Sequence, residues 1–386
     1  MSNESLRGVS IVGIGQIPVM KENPHSLKEM GAEAVRKAMA DAGVDRVDAL
    51  YAGNMLADEL QSQKHIATLI ASEVGLRGVE ALQVRAATAT GAAALRMAYF
   101  AVASGEAKIA CAMGVEKMSS GPVVAALAKA LDARLETELG ATLLSQNAKL
   151  MQLYMERYNV RVDDFNPFPL LAHQNARTNP HALYKHKRVS DREIRTSRVI
   201  YPPLRLFDAS PICDGAAAVI LARSNEARAF TDQPVKLLSS SVATDWFRID
   251  QRADPLDLFA ASQSVTDAFR KANVNKNDID LFEIHDAFSI MACLLLEAVG
   301  YAAPGQGWRL AKEGRLTLKG DLPIATFGGL KARGHPIGAT ALYQTCEIVL
   351  QLTGRAGKNQ VKNAKLALLQ SVGGAASTVL THVFGV

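Results

Sequence analysis

The feature that most constrains this chain is an internal repeat. Gly91-Ala92-Ala93-Ala94-Leu95 returns as Gly338-Ala339-Thr340-Ala341-Leu342, an offset of 247 residues from Gly91 to Gly338. Each copy opens an apolar, small-residue stretch of helical length. Each stretch is followed by a strand candidate: residues 107–114, ending at Gly114, and residues 364–369, running on to Gly373. A duplicated turn, helix and strand indicates two similar halves. Helices faced with alanine and glycine approach their neighbours closely, so both belong in the middle of a layered body. The same offset pairs Thr88 with His335, at equivalent helix starts. If a pseudo-twofold axis relates the halves, both helix N-termini face one site, and their free N–H groups favour an anionic oxygen there.

Around the repeat, strand and helix patterns alternate, with strands over 10–15 and 47–53 and an amphipathic helix over 27–42. That alternation predicts a largely parallel sheet with helices on its faces. The Gly13-Ile14-Gly15 pair is not a dinucleotide fingerprint, because Pro18 stands where the third glycine is required. Residues 119–204 break the repeat and read as an inserted, mostly helical subdomain of the kind that covers a ligand site. The expected division is an N-terminal half, 1–225 with the insert, and a C-terminal half, 226–386. At 386 residues and 48% hydrophobic content, the chain can bury such a body.

The formal charge of +5 is spread among interspersed acids and bases, which suits a small anionic ligand at least as well as nucleic acid. Residues 1–10 are polar, and no apolar run approaches the roughly 18 to 20 residues a membrane span needs. The expectation is a cytoplasmic protein that engages neither membrane nor nucleic acid. Cys111, Cys213, Cys293 and Cys346 form no C-x-x-C pair and read as small buried hydrophobes. His25, His65, His173, His181, His186 and His382 show no metal-ligand spacing, and no metal is expected.

Four further segments carry a resemblance. Gly334-His335-Pro336-Ile337-Gly338-Ala339-Thr340 follows Gly328-Gly329; the others are His285-Asp286-Ala287-Phe288, Gly114-Val115-Glu116-Lys117-Met118-Ser119 and Ser210-Pro211-Ile212-Cys213-Asp214-Gly215-Ala216. Together these resemble the thiolase superfamily, from about residue 10 to 380 and in the family's order. The first looks like its G-H-P loop, and the second is similar to the H-D-C-F motif of archaeal and sterol-carrier types. The resemblance implies an α/β thiolase-like fold: two βαβαβαββ halves in a five-layered α/β/α/β/α body with an inserted helical loop subdomain. It also implies a coenzyme A thioester as substrate, with no tightly bound cofactor. The resemblance also implies a homodimer or dimer of dimers paired through the central sheets, with a zinc-ribbon and OB-fold protein as a candidate partner.

In the family, a cysteine before the first small-residue helix attacks the thioester, the G-H-P histidine activates it, and a second cysteine moves protons. Here the nucleophile position is Thr88, the second is Ser371 in Ser371-Val372-Gly373, and the H-D-C-F cysteine is Ala287. Thr88 is open to two readings: a helix N-cap, or a hydroxyl that accepts an acyl group. Ser371 is either a filler of the cysteine's volume or a proton relay. The resemblance makes His335 the acid/base imidazole and His285 a donor to the thioester or enolate oxygen. It makes the backbone N–H groups of Thr88 and Gly373 a second oxyanion hole, and Gly334, Gly374 and Phe288 substrate-facing. Lys185, His186, Lys187 and Arg188 read either as a solvated face or as a contact for coenzyme A phosphates. Two functions follow: an acyl-CoA enzyme, acyltransferase or lyase, that needs no cysteine acyl-enzyme, or a non-catalytic acyl-CoA-binding or scaffold subunit.

Overall fold

The computed structural model describes residues 7–386, so residues 1–6 of the polar segment lie outside the described residues. Nine strands form the main sheet: β1 (Val9–Gln16), β2 (Ala49–Gly53), β3 (Glu80–Val84), β4 (Ile109–Lys117), β5 (Asp214–Arg223), β6 (Val235–Thr244), β7 (Leu281–Glu283), β8 (Leu366–Gly373) and β9 (Thr378–Gly385). Their spatial order is β3-β2-β4-β5-β1-β6-β9-β8-β7. Outward from the β1–β6 junction, the two arms repeat the same strand order, as a pseudo-twofold rotation requires. A parallel bridge from Phe282 to Ile324 stands where β3 pairs with β2 in the other arm. The junction is thin, with Ser10 opposite Lys236 and Ile11 opposite Val235.

The sheet is mixed, which corrects the expectation of a largely parallel one. β2 pairs in parallel with β3 and β4, and β7 with β8, whereas the five inner pairings are antiparallel. Crossover helices link only the first strands of each half; the last strand returns beside its predecessor. Strands β8 and β9, for example, are joined by a turn in which Gly374 and Ala376 hold positive φ.

Period-2 alternation sends each strand's side chains into two different cores. Cys111, Met113, Ala218 and Ile220 meet α1 (Leu27–Asp41) and α2 (Ile66–Val74) on the outer face of the first half. Ala110, Ala112, Val219, Leu369 and Leu380 meet the repeat helices α3 (Thr90–Ser104) and α8 (Thr340–Leu352) in the middle. Leu368, Val372, Val379 and Val383 meet α6 (Phe259–Ala272) and α7 (Ser289–Ala298) on the far face. Two sheet arms between three helical layers give the five-layered body. The insert adds α4 (Leu143–Tyr158) and α5 (Pro167–Ala176), with Leu150, Met151 and Tyr154 buried against the far layer.

Glycines set how closely these layers approach. A Cβ on Gly15 would lie 2.3 Å from the Ala34 carbonyl and one on Gly13 2.5 Å from that of Ala38, so the Gly13-Ile14-Gly15 pair lets α1 lie on β1. At the centre, Cβ atoms on Gly91 and Gly114 would stand 2.8 and 2.0 Å from the Gly338 carbonyl. The repeated glycines Gly91 and Gly338 thus meet at the pseudo-twofold axis. Because backbone, not a flexible side chain, occupies that space, Gly114→Ala is expected to cost about 3 kcal/mol or prevent folding. Urea unfolding measures this, and a loss below about 1 kcal/mol would contradict the packing.

Candidate functional site

A cavity of about 470 Å³ opens where the two repeat helices begin. Thr88, His285, Phe288, His335 and Gly374 all line it. Its remaining wall is mainly apolar and largely supplied by the insert, through Val124, Leu127, Leu143, Leu144 and Ile200. Gly334, Ser371 and Gly373 are not part of the wall, and neither are Lys185, His186, Lys187 and Arg188. Gly334 takes φ +116, and a Cβ there would strike Val19 at 2.6 Å, so it serves the loop's course. Ser371 is fully buried and its hydroxyl has no partner among the described residues. It shares the middle-layer side of β8 with Leu369, one step from the cavity-lining Val372. The Lys187 ammonium lies over the rings of Tyr184 and Phe207, 5.3 and 4.8 Å from their centroids.

Thr88 does not cap α3, which corrects one of its two readings. Ala89 occupies the N-cap position, no side chain caps the helix, and the Thr88 hydroxyl donates to the Val372 carbonyl at 2.6 Å. The turn before the helix is instead organised by Thr90, whose hydroxyl accepts the Ala86 N–H at 2.9 Å and donates to the Ala87 carbonyl at 2.6 Å. Gly373 presses on the same turn: a Cβ there would lie 2.8 Å from the Ala86 carbonyl.

The two site histidines face each other at right angles, ring centroids 5.2 Å apart. His335 Nδ1 lies 2.7 Å from the Thr340 hydroxyl, and its backbone N–H donates to Cys213 Sγ at 3.2 Å. His285 Nδ1 is buried without a partner among the described residues, which leaves Nε2 as the nitrogen to meet a ligand. Burial pushes the His285 imidazole down to about 3. Burial also holds His335 far below its ordinary value, with His285 and Arg333 adding to the effect. Both rings are therefore neutral near pH 7.

The other motif residues hold loops in place. Glu116 accepts N–H groups from Asn54, Met55, Leu56 and Gly338, at 2.9 to 3.1 Å. Burial pushes its carboxyl up to about 7 against those donors. Since every partner donates, the geometry holds the ionised form. Asp214 accepts the Ser119 N–H and hydroxyl and the Asn23 N–H. Asp286 accepts the Leu330 N–H at 2.7 Å, tying the H-D-A-F segment to the Gly328-Gly329 turn. Behind the G-H-P loop, buried Arg333 pairs with Glu347 at 3.0 Å, donates to the Gly334 carbonyl and lies over the Tyr343 ring. Sequence reasoning missed Thr340, Cys213 and Glu116 as supports of His335. Cys213 and Glu116 reach this loop from distant segments, whereas Thr340 lies only five residues after His335. Among the described residues, no group of three or more His, Cys, Asp or Glu side chains is placed to hold a metal ion.

Residues 9–225 match the family model described as thiolase, N-terminal domain, and residues 241–386 match thiolase C-terminal domain-like. The acetyl-CoA acetyltransferase of Methanothermobacter thermautotrophicus is 38% identical over 382 residues, covering 98% of this chain and 100% of that one. Human sterol carrier protein 2 is 30% identical over 400 residues, covering 98% of this chain and 72% of its own length. In fold, the chain is similar to the Ltp2-ChsH2(DUF35) aldolase, with TM-score 0.85, 22% identity and coverage of 98% and 97%. It is also similar to human mitochondrial 3-ketoacyl-CoA thiolase in complex with CoA, with TM-score 0.75, 16% identity and coverage of 98% of each chain.

The depressed His285 value has a consequence with a definite sign. The unfolded chain takes up a proton at this residue below about pH 6.5 while the folded chain does not, so the group's contribution to stability is lost as pH falls from there. In the folded protein the His285 ring signals should stay constant in an NMR titration from pH 8 to about pH 5. A midpoint near 6.5 would show that the ring is solvated.

Proposed function

The chain belongs to the thiolase superfamily, and from that premise we propose that it is an acyl-CoA enzyme acting on the carbon–carbon bond next to the thioester without a cysteine acyl-enzyme. The observation that carries this reading is the pair of neutral imidazoles on an apolar cavity beside a Thr88 hydroxyl whose proton is engaged by a carbonyl. A threonine hydroxyl is a weak nucleophile without an adjacent base, and this one is directed away from that role. Cleavage of a 3-hydroxyacyl-CoA needs no nucleophile. His335 takes the 3-hydroxyl proton, and the C2–C3 bond breaks as a carbonyl forms at C3. The released electron pair moves into the thioester as an enolate, and His285 donates to its oxygen. Return of the proton to C2 gives a shorter acyl-CoA and an aldehyde or ketone. The backbone N–H groups of Thr88 and Gly373 are the second candidate donor pair, a reading supported by the contact of Gly373 with the 86–89 turn. In this reading coenzyme A enters as part of the substrate, and the halves divide at 225/226.

The relatives named acetyl-CoA acetyltransferase support acyl-CoA as the substrate class. The structure similar in fold is named an aldolase and contains a second protein, ChsH2(DUF35), which is consistent with lyase chemistry and with a partner chain here; a zinc-ribbon and OB-fold protein is the partner this reading proposes. Mass spectrometry of products from acetyl-, 3-ketoacyl- and 3-hydroxyacyl-CoA esters tests the reaction. The expected result is cleavage of a 3-hydroxyacyl-CoA, lowered at least about 100-fold in His335→Ala, with no ester on Thr88. No product from the wild type, with thiolysis only in Thr88→Cys, would favour an acyl-CoA-binding or scaffold subunit instead.

The self-association surface in this proposal is the open edge of β3. Leu82 on that edge is 51% exposed and Met97 on α3 is 40% exposed, and an unpaired strand edge beside apolar side chains favours a second copy. Light scattering should show a dimer or a dimer of dimers for the wild type and smaller species for Leu82→Lys. A monomeric wild type would remove this surface from consideration.

A further inference from the structure

We propose that Thr340 is a positioning residue that fixes His335 in the Nδ1–H tautomer, so that a bare Nε2 faces the cavity. The inference rests on His335 as the proton-accepting imidazole and adds what makes it one. The Thr340 hydroxyl has one proton and two neighbours able to take it: His335 Nδ1 at 2.7 Å and the Pro336 carbonyl at 3.3 Å. If the proton goes to Nδ1, the imidazole proton must sit on Nε2, and the ring presents a donor to the ligand. If it goes to Pro336, the hydroxyl oxygen accepts Nδ1–H, and Nε2 presents a lone pair.

Three observations favour the second arrangement. Thr340 begins α8, and the other threonines of that helix, Thr345 within it and Thr353 at its C-cap, donate to the carbonyl four residues back, Ala341 and Val349, each at 2.7 Å. The Pro336 carbonyl is the equivalent acceptor for Thr340. Thr90, which begins the other repeat helix, uses its hydroxyl twice, donating to a carbonyl and accepting an N–H. Only the Nδ1–H tautomer lets Thr340 do the same. Finally, donation to Nδ1 would leave the buried Thr340 oxygen with nothing to accept, whereas the proposed arrangement makes two bonds.

The decisive measurement is a long-range ¹H–¹⁵N correlation spectrum of the full chain labelled at histidine, with the His335 signals identified by their loss in His335→Gln. A protonated Nδ1 with an unprotonated Nε2 is expected in the wild type; a protonated Nε2 overturns the proposal. In Thr340→Val the ring should shift toward the Nε2–H form, and Thr340→Ser should restore the wild-type pattern. With a substrate that is turned over, Thr340→Val should lower kcat about 100-fold with KM within about twofold, and serine should rescue it. An unchanged kcat in Thr340→Val counts against the proposal. If the valine variant does not fold, the wild-type spectrum still decides. Absence of turnover beside the expected spectrum would sink the lyase reading and leave the tautomer assignment standing.

Discussion

The Gly338 carbonyl is the contact on which the rest of the molecule depends. It sits where any side chain on Gly91 or Gly114 would stand, at the point where the strands and helix of the first half meet the G-H-P loop of the second. The N–H of the same residue is held by Glu116, whose other donors come from the 54–56 loop. Gly338 is thus held at its N–H and abutted at its carbonyl by the opposite half, and His335 lies three residues before it. The β1–β6 junction is too short to hold the halves in register by ladder bonds alone. Close backbone approach and one buried carboxylate do so instead.

That dependence explains why the fold was legible from sequence to the extent it was. The repeat could be read because Gly91 and Gly338 occupy equivalent, sterically closed positions, and the small-residue helices after them could be read as central for the same reason. Strand direction was not legible. Alternating strands and helices fix which elements exist, but the inner strands run antiparallel because each half closes on a returning strand, and no residue type marks that return. The packing of α1 on β1 accounts for the Gly13-Ile14-Gly15 pair.

The site was legible in its histidines and not in its supports. His285 and His335 stand out because each sits in a motif, and both line the cavity. Thr88 misled local reasoning because N-capping considers only the helix that follows, whereas its hydroxyl bonds a carbonyl 284 positions away in sequence. Ser371 was drawn in by its place in the pattern, yet strand alternation turns it from the cavity wall and leaves Val372 there. Thr340 passed unnoticed as part of the repeat, although its hydroxyl is the partner of His335.

In the proposed reading, a threonine rather than a cysteine at position 88 changes the electrostatics of the pocket as well as its nucleophile. A thiol beside an imidazole can yield a thiolate and an imidazolium, a charge pair that a buried site must stabilise. With a threonine hydroxyl bound to Val372, no such pair forms, and the desolvation that holds both imidazoles neutral meets no opposing charge in the cavity. Neutral imidazoles are what a site needs to accept a proton at one oxygen while donating to another. In the proposed reaction the apolar wall supplied by the insert would serve the same end, because excluding water both keeps the rings uncharged and strengthens a hydrogen bond to a developing enolate. In the proposed reading, a neutral His335 is free to accept the substrate proton, and the same desolvation that lowers its basicity in the empty cavity is what a developing charge there would have to offset.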